Sequence, residues 1–522
     1  MLTSRDALLM PLAATLLACK TSADDTAIVP TEGFSHQAVS ACDSPLDAVA
    51  YEERGAALGL LGGPDPDGEH QQGGAIAVLD IDGDQDLDIL TSFRFQNTVI
   101  HRWNGESFDT EMLDAPYEPW NMSLGDVNND GMLDVLVSGM REPMVLLGNG
   151  TDFDGMSLPD FPIPDPNTSI AQSFGVIDLD LDGALDVYAV VNTGGAAPTD
   201  EDMADFMMWG DGTGSFEVDT SLPSTTARRG FDAVITEWRG QQALYLVNDM
   251  GAEFGGDVLM VADGRDIIDV TDEAGTAVAH SGMGGDIADW NEDGRADIYI
   301  TTSITGHVLW SSQDDDTYFD EATSVGALGI AKENGMGWGA AFVDYDNDGD
   351  QDIIDAQGDQ WGQNDPDSFR FDQPIWLLEQ TEDDIFEEVG GPLGLATTGS
   401  YRSALAQDFN NDGVPDLLVS DVLAPPHLYL SKGCTKNGWL QVVAPINSRV
   451  EIDVDGKTKV DWSTTHSGYA ATHEPIVHFG LGEHEIVDAL RVTDPYGNSW
   501  EYEHPFQGRR RVIVGSPAGF WD

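Results

Sequence analysis

Short apolar, β-branched runs recur along the chain: DILTS from Asp88, DVLVSG from Asp134, DVYAVV from Asp186, DIYITT from Asp297, DIIDA from Asp352 and DLLVSD from Asp416. Runs of this length and composition read as strands. Each is preceded by an aspartate-rich nonapeptide of the form D-x-[DN]-x-D-[GQ]-x-x-D, and each is followed downstream by a second apolar segment (VIHRW, MVLLGNG, FMMWGDGTGSF, HVLWSS, PIWLLEQ, HLYLS). The pattern predicts hairpins in which the nonapeptide is the turn and its last aspartate opens the second strand.

The nonapeptides start at Asp80, Asp126, Asp178, Asp289, Asp344 and Asp408, at intervals of 46, 52, 111, 55 and 64 residues. One interval is about twice the others, so a degenerate copy should lie inside it. Residues 231–249 (FDAVITEWRGQQALYLVND) have the apolar run, the glycine turn and the second strand, and DVLMVADG follows as the downstream strand. Here Glu237, Trp238, Arg239 and Gln241 stand where the other copies have ligands. A further element of the form F-x-D-V-T-x-x-x-G recurs at 268–275, 319–326 and, more weakly, 386–394. Seven repeats of about 50 residues, each with several short strands, predict an all-β chain built as a seven-bladed β-propeller.

The nonapeptide oxygens define the candidate chemistry. They are Asp80, Asp82, Asp84 and Asp88; Asp126, Asn128, Asp130 and Asp134; Asp178, Asp180, Asp182 and Asp186; Asp289, Asn291, Asp293 and Asp297; Asp344, Asp346, Asp348 and Asp352; and Asp408, Asn410, Asp412 and Asp416. Positions 1, 3, 5 and 9 of each loop supply oxygen, and five copies place glycine at position 6; the first has Gln85. Such a donor set suits a hard cation with six to eight oxygen ligands, and Ca²⁺ at about six sites is the expectation. An EF-hand shares the opening letters but requires Glu at position 12, where these copies have Thr91, Val137, Ala189, Ile300, Asp355 and Val419. The alternative is a set of metal-free Asp-Gly and Asn-Gly turns. With dissociation constants of about 10⁻⁴ to 10⁻³ M in ~1 mM calcium, each site would contribute roughly 0.4 to 1.4 kcal/mol.

These repeats resemble the FG-GAP and VCBS repeats of integrin-α-like propellers. The C-terminal stretch resembles the ASPIC/UnbV domain of cartilage-acidic-protein-like proteins. The second resemblance rests on HFGLG from His478, on VDALRVTDPYGN from Val487, on WLQVV from Trp439 and on SGYA from Ser467. Asp494 stands where that family has Trp before the proline, and the segment after Pro445 is shorter than the family's loop. The resemblance implies a propeller over 46–436 and a small β domain over 437–515.

A ring of blades must close on itself or leave unpaired edges. Residues 49–61 (VAYEERGAALGLL) look like an eroded F-x-D-V-T-x-x-x-G element ahead of the first blade and are expected to lend a strand to the last one. Cys42 precedes this stretch and Cys434 follows the last blade. A disulfide between them would staple the closure in an oxidising compartment; the alternative is two unpaired thiols. At the N-terminus the apolar run 7–18 ends in L-L-A-C, too short to span a bilayer but suited to a signal peptide. L-L-A-C resembles the bacterial lipoprotein box, which makes 1–19 a signal peptide, Cys19 an acylated first residue and 20–45 a flexible tether. Extracytoplasmic anchoring to the outer membrane or cell surface is the expectation; the alternative is an ordinary cleaved signal and secretion.

Acidic residues number 93 against 23 basic, a formal charge of −70, which argues against nucleic acid and anionic membrane surfaces as partners. The chain carries no G-x-S-x-G elbow, Walker loop or C-x-x-C. The HEPIVH stretch from His473 is one residue too long for a zincin motif and contains Pro475, so it reads as a strand with an exposed histidine. Trp209, Trp310, Trp376 and Tyr429 read as blade-packing anchors. The expectation is a non-catalytic, calcium-stabilised binding or adhesion protein, one propeller face engaging a protein or glycan. Alternatives are an extracellular enzyme acting on polysaccharide in the propeller channel and a structural envelope or matrix component.

Overall fold

The six second strands open on the last aspartate of each nonapeptide: Asp88–Phe93, Asp134–Gly139, Asp186–Thr193, Asp297–Thr302, Asp352–Gln357 and Asp416–Asp421. They are buried almost throughout because sheets lie against both their faces, which explains why they read as continuous apolar runs and not as alternating ones. The structure is a computed structural model that describes residues 34–37, 49–61, 73–93, 98–113, 119–139, 143–158, 169–193, 205–222, 229–303, 305–329, 335–358, 373–381, 383–432 and 435–514.

Among the described residues, seven sheets each begin with the strand that precedes their turn; the second to sixth are four-stranded antiparallel meanders, the first is such a meander joined by a fifth, parallel strand, and the seventh has three consecutive strands and a fourth from the start of the chain. Those first strands are Gly73–Leu79, Pro119–Gly125, Ser169–Ile177, Gly230–Trp238, Gly282–Ala288, Gly337–Val343 and Tyr401–Gln407. Each contacts the next in chain order and the last contacts the first, so the sheets, blades 1 to 7, radiate from a common axis. All seven first strands carry a bulge near their N-terminal end, where one extra residue bends the strand. The apolar core is divided between neighbouring blades: Val234, Tyr245 and Leu259 of blade 4 pack with Ile287, Ile298 and Trp310 of blade 5. Trp209, Trp310 and Tyr429 are buried in such layers, and Trp376 is partly buried in another.

Blade 4 lacks the nonapeptide and turns in two residues. Trp238 pairs with Gln241 across Arg239 and Gly240, whose φ values of 54° and 73° are those of a tight hairpin turn with both central residues left-handed. The seventh blade obtains its outer strand from the start of the chain: Tyr51–Glu53 pairs antiparallel with His427–Ser431, and Tyr51 Oη donates to the Pro415 carbonyl at 3.1 Å. The 3₁₀ turn Ala56–Leu58 follows, ending on Gly59. The short helices Thr271–Ala274, Ala322–Val325 and Gly390–Leu393 do the same work after blades 4, 5 and 6, each capped by a left-handed glycine where the recurring sequence element places one.

The C-terminal domain packs two sheets. One contains Gly438–Val443, Ile476–Gly482 and Arg510–Val514; the other contains Arg449–Val454, Lys457–Trp462, Ala489–Thr493 and Ser499–Tyr502. Leu440, Val442, Ile452, Phe479, Leu490 and Val512 fill the space between them. The flexible tether expected over 20–45 needs correction: Phe34–Gln37 forms a strand paired antiparallel with Arg510–Val514, covering an otherwise open sheet edge. Cys19, Cys42 and Cys434, and with them the signal peptide, the lipidation site and the disulfide, lie outside the described residues.

Candidate metal loops and the domain that covers them

The six loops share one hydrogen-bond scheme. The position-1 carboxylate accepts the amide of position 6 (Gln85, Gly131, Gly183, Gly294, Gly349 or Gly413) at 2.8 to 2.9 Å. Where position 3 is Asn, its side-chain oxygen accepts the amide of position 5, as Asn128 does for Asp130 at 3.0 Å. The position-9 Asp is held on one oxygen by the third strand, through Trp103, Gly148, Gly210, Ser312, Gln380 and Ser431 amides. Two residues per loop are left-handed. Besides position 6, position 4 has positive φ at Asn129, Leu181, Glu292, Asn347 and Asn411. The first loop reassigns the glycine: Gly83 occupies position 4, and Gln85 accepts φ 75° at position 6.

This scheme turns carboxylates inward on one another. Oxygens of Asp80, Asp82 and Asp88 lie within 4.8 Å of one another, as do those of Asp178, Asp180 and Asp186 and those of Asp344, Asp346 and Asp348. Asp84, Asp182 and Asp352 stay outside these triples. The loops at Asp126, Asp289 and Asp408 have Asn at position 3 and form no triple of carboxylates among the described residues. Burial pushes the carboxyls of Asp88, Asp134 and Asp186 up to about 7, and those of Asp297, Asp344, Asp352 and Asp416 well above the usual range. Neighbouring aspartates add to the rise. Asp344 Oδ1 and Asp297 Oδ2 are buried without a hydrogen-bond partner. A buried carboxylate oxygen without a partner is costly, and a cation bound by several such oxygens removes that cost. The donor set, all hard oxygen, fits an ion of the calcium class.

The C-terminal domain sits on the loop side of the ring. It reaches loop 1 through Glu474 Oε1, which accepts the Asp80 amide at 2.7 Å, and loop 3 through Tyr496 Oη, which donates to Asp178 Oδ2 at 2.7 Å. On the fifth blade Lys457 pairs with Glu292 at 2.9 Å. At the blade 6 loop His478 Nε2 donates to Asn347 Oδ1 at 2.6 Å and the Gly482 amide to the Asn347 carbonyl at 2.9 Å. At the blade 7 loop, Gln441 Nε2 donates to Asp408 Oδ2 at 3.1 Å, and Trp439 lies so close to Gly413 that a Cβ there would be 1.9 Å from the indole.

From this domain the segment 464–474 enters the channel and meets every blade. Ala471–His473 runs parallel to the first strand of blade 1; Thr465 Oγ1 donates to the Leu124 carbonyl of blade 2; Gln172 of blade 3 donates to Tyr469 Oη. His466 pairs with Asp232 of blade 4 at 3.1 Å, the Gly468 amide donates to Gly285 of blade 5, Tyr469 packs on Trp338 of blade 6, and Ser403 of blade 7 donates to the Ala470 carbonyl. Gly468 is left-handed at φ 56°, and a Cβ would meet the Ala340 backbone at 2.3 Å, so no other residue fits.

Comparison with known proteins agrees with this division. Residues 443–516 match the ASPIC and UnbV family, and residues 80–137, 126–189 and 262–354 match the FG-GAP-like repeat. This chain is an FG-GAP-repeat propeller carrying an ASPIC/UnbV domain. It is similar to cartilage acidic protein 1 of Homo sapiens, 23% identical over 463 residues that span 72% of this chain and 69% of the relative, and to that of Xenopus tropicalis, 23% identical over 466 residues, with 72% and 70% spanned. The architecture fits an extracellular binding or adhesion protein. Among solved structures, BBS1N in complex with ARL6DN aligns with a TM-score of 0.43 at 8% identity, over 70% of this chain and 94% of that one. YCF48 bound to D1 peptide aligns with a TM-score of 0.40 at 8% identity, over 75% and 97%.

Where blade 4 of the FG-GAP propeller turns in two residues, the ASPIC/UnbV domain has no metal loop to rest on. Trp462 Nε1 bridges to Glu237 Oε2 at 3.3 Å instead, and a cleft of about 310 Å³ opens beside them, lined by Gln242, Asn447, Arg449 and Asp494. Two histidines also differ from expectation. His473 and His478 are on strands of the domain, but both are half-buried and not exposed, and His478 stacks on Trp439 with ring centroids 6.1 Å apart. Sequence reasoning marked SGYA only as a family landmark; its Gly-Tyr pair, at the centre of the channel, was the available signal for the inserted segment.

Proposed function

We propose that this FG-GAP propeller is a calcium-stabilised extracytoplasmic binding protein, with calcium in about six hairpin loops and no catalytic role. The observation that carries the reading is the channel: residues 464–474 fill it from the loop side, where the alternative, an enzyme acting on polysaccharide in the channel, would need a site. With that side covered by the ASPIC/UnbV domain, the opposite face of the ring engages a protein or glycan partner. Acylation of Cys19 would hold the protein at the bacterial outer membrane or cell surface. Several acyl chains at ~0.8 kcal/mol per buried CH₂ suffice without a spanning helix. The described residues contain no helix long and apolar enough to cross a membrane.

The test is capture of ligands on a glycan array and from an extracellular protein library, each with calcium and with EDTA. A saturable, calcium-dependent partner supports the reading. Turnover of a polysaccharide by the purified chain, abolished by substitutions at one channel mouth, contradicts it.

A further inference from the structure

Loops that would hold calcium are also loops on which the ASPIC/UnbV domain rests, and in two of them the contact is made by a ligand carboxylate itself. Tyr496 Oη donates to the oxygen of Asp178 that also accepts the Gly183 amide, both bonds lying at 2.7 to 2.8 Å. Gln441 Nε2 stands in the same relation to Asp408 Oδ2, which accepts the Gly413 amide at 2.9 Å. In the blade 6 loop, Asn347 sits between the ligands Asp346 and Asp348. It is left-handed at φ 63° and offers both its side-chain and backbone oxygens to the domain, through His478 and Gly482. Lys459 Nζ adds a bond to the Gly349 carbonyl of that loop at 2.5 Å.

One loop conformation therefore turns ligand oxygens inward and domain-binding groups outward. A loop that loses its shape without a cation loses both. Outer-shell donors to metal-ligating carboxylates orient the ligand, and their removal typically weakens metal binding by about 10- to 100-fold. Coupling between two binding events is reciprocal, so whatever the docked domain adds to calcium affinity, calcium adds to docking.

We propose that the ASPIC/UnbV domain is a calcium-locked cap: Tyr496 and Gln441 complete the outer shell of the blade 3 and blade 7 loops, His478 holds the blade 6 loop in shape through Asn347, and cation binding there is linked to the seating of residues 464–474 in the channel. The proposal rests on the calcium reading above. Its consequence is a channel sealed from the loop side when calcium is plentiful and unsealed when calcium is scarce.

The experiment uses the full-length chain. Calcium affinities are measured by competition with a chromophoric chelator for the wild type and for Tyr496→Phe, which removes one hydroxyl from a residue 49% exposed and so leaves the fold intact. Amide hydrogen exchange at Gly468 and Glu474, which bond to Gly285 and Val78, is followed in calcium and in EDTA. The expected result is about tenfold weaker calcium binding at one site in the variant, with the others unchanged. EDTA should also accelerate exchange at both amides at least tenfold before global unfolding. Wild-type affinity at every site in the variant, together with equal protection of the two amides in EDTA, overturns the cap while leaving the calcium reading intact. Failure of the wild type to bind calcium at all overturns the reading beneath it and the cap with it.

Discussion

Tyr469 packs edge-on against Trp338 on the axis of the ring, with centroids 5.1 Å apart and planes inclined at 64°. Both are buried, at 1% and 0% exposure, and Phe231 closes the cluster 6.3 Å from Tyr469. The two rings belong to different domains, so the propeller core is completed by a residue from outside it. Removing a buried aromatic ring typically costs 3 to 5 kcal/mol. Tyr469→Ala should therefore destabilise the whole chain by about 3 to 5 kcal/mol in denaturant unfolding, whereas Tyr469→Phe, which keeps the ring and loses the bond from Gln172, should cost about 1 kcal/mol. An alanine variant as stable as wild type would show that the segment is not part of the core.

Ring closure depends on the short strand Tyr51–Glu53. Tyr51 is 3% exposed and packs with Leu377, Leu395 and Tyr429 between blades 6 and 7. Tyr51→Ala is expected to cost about 3 to 5 kcal/mol, read as a shift of the urea midpoint. Proteolysis should then cut the seventh blade first, because its outer edge is left unpaired.

Much of this arrangement was legible in the chain. The nonapeptides, the repeat interval, the degenerate fourth copy and the eroded element at 49–61 all signal themselves through local residue types, because turn chemistry and strand burial are local. The inserted segment was not legible in the same way. Residues 464–474 show no apolar period, and their partners Leu124, Gln172, Asp232, Gly285, Trp338 and Ser403 are distant in sequence. The left-handed position 4 was also hidden, since Leu181 and Glu292 adopt φ 60° and 54° without a residue type that announces it. The strand Phe34–Gln37 escaped notice because an edge strand of four residues has too few positions to show alternation.

Two loop glycines separate backbone strain from domain contact. Gly413 has φ 84° and lies under Trp439, whereas Gly183 has φ 94° with open space where a Cβ would stand. Gly183→Ala should cost about 1 kcal/mol from the left-handed backbone alone. Gly413→Ala should cost roughly 2 to 4 kcal/mol, because overpacking against the indole adds to the strain, and it should shift the Trp439 fluorescence. Equal costs for the two variants would contradict the docking of Trp439 on the blade 7 loop.

His101 is fully buried in blade 1 between Thr91 and Thr110, whose hydroxyls lie 3.1 and 2.9 Å from its ring nitrogens. Burial pushes its pKa down to about 4. Between pH 6.5 and 4 the unfolded chain takes up a proton that the folded chain refuses, so this residue's contribution to stability is full above pH 6.5 and is lost as the pH falls. The loss reaches roughly 3 kcal/mol at pH 4. Urea unfolding of His101→Gln across this range should fall less steeply than wild type; parallel curves would place the proton elsewhere.

The most direct test of the calcium reading is bound calcium by elemental analysis of the purified full-length chain, combined with its thermal unfolding in 1 mM calcium and in excess EDTA. Six sites at about 0.4 to 1.4 kcal/mol each predict a loss on the order of 2 to 8 kcal/mol on chelation, seen as a large fall in Tm, with about six calcium ions per chain before treatment. A chain that carries no calcium and melts at the same temperature in both buffers would contradict the account.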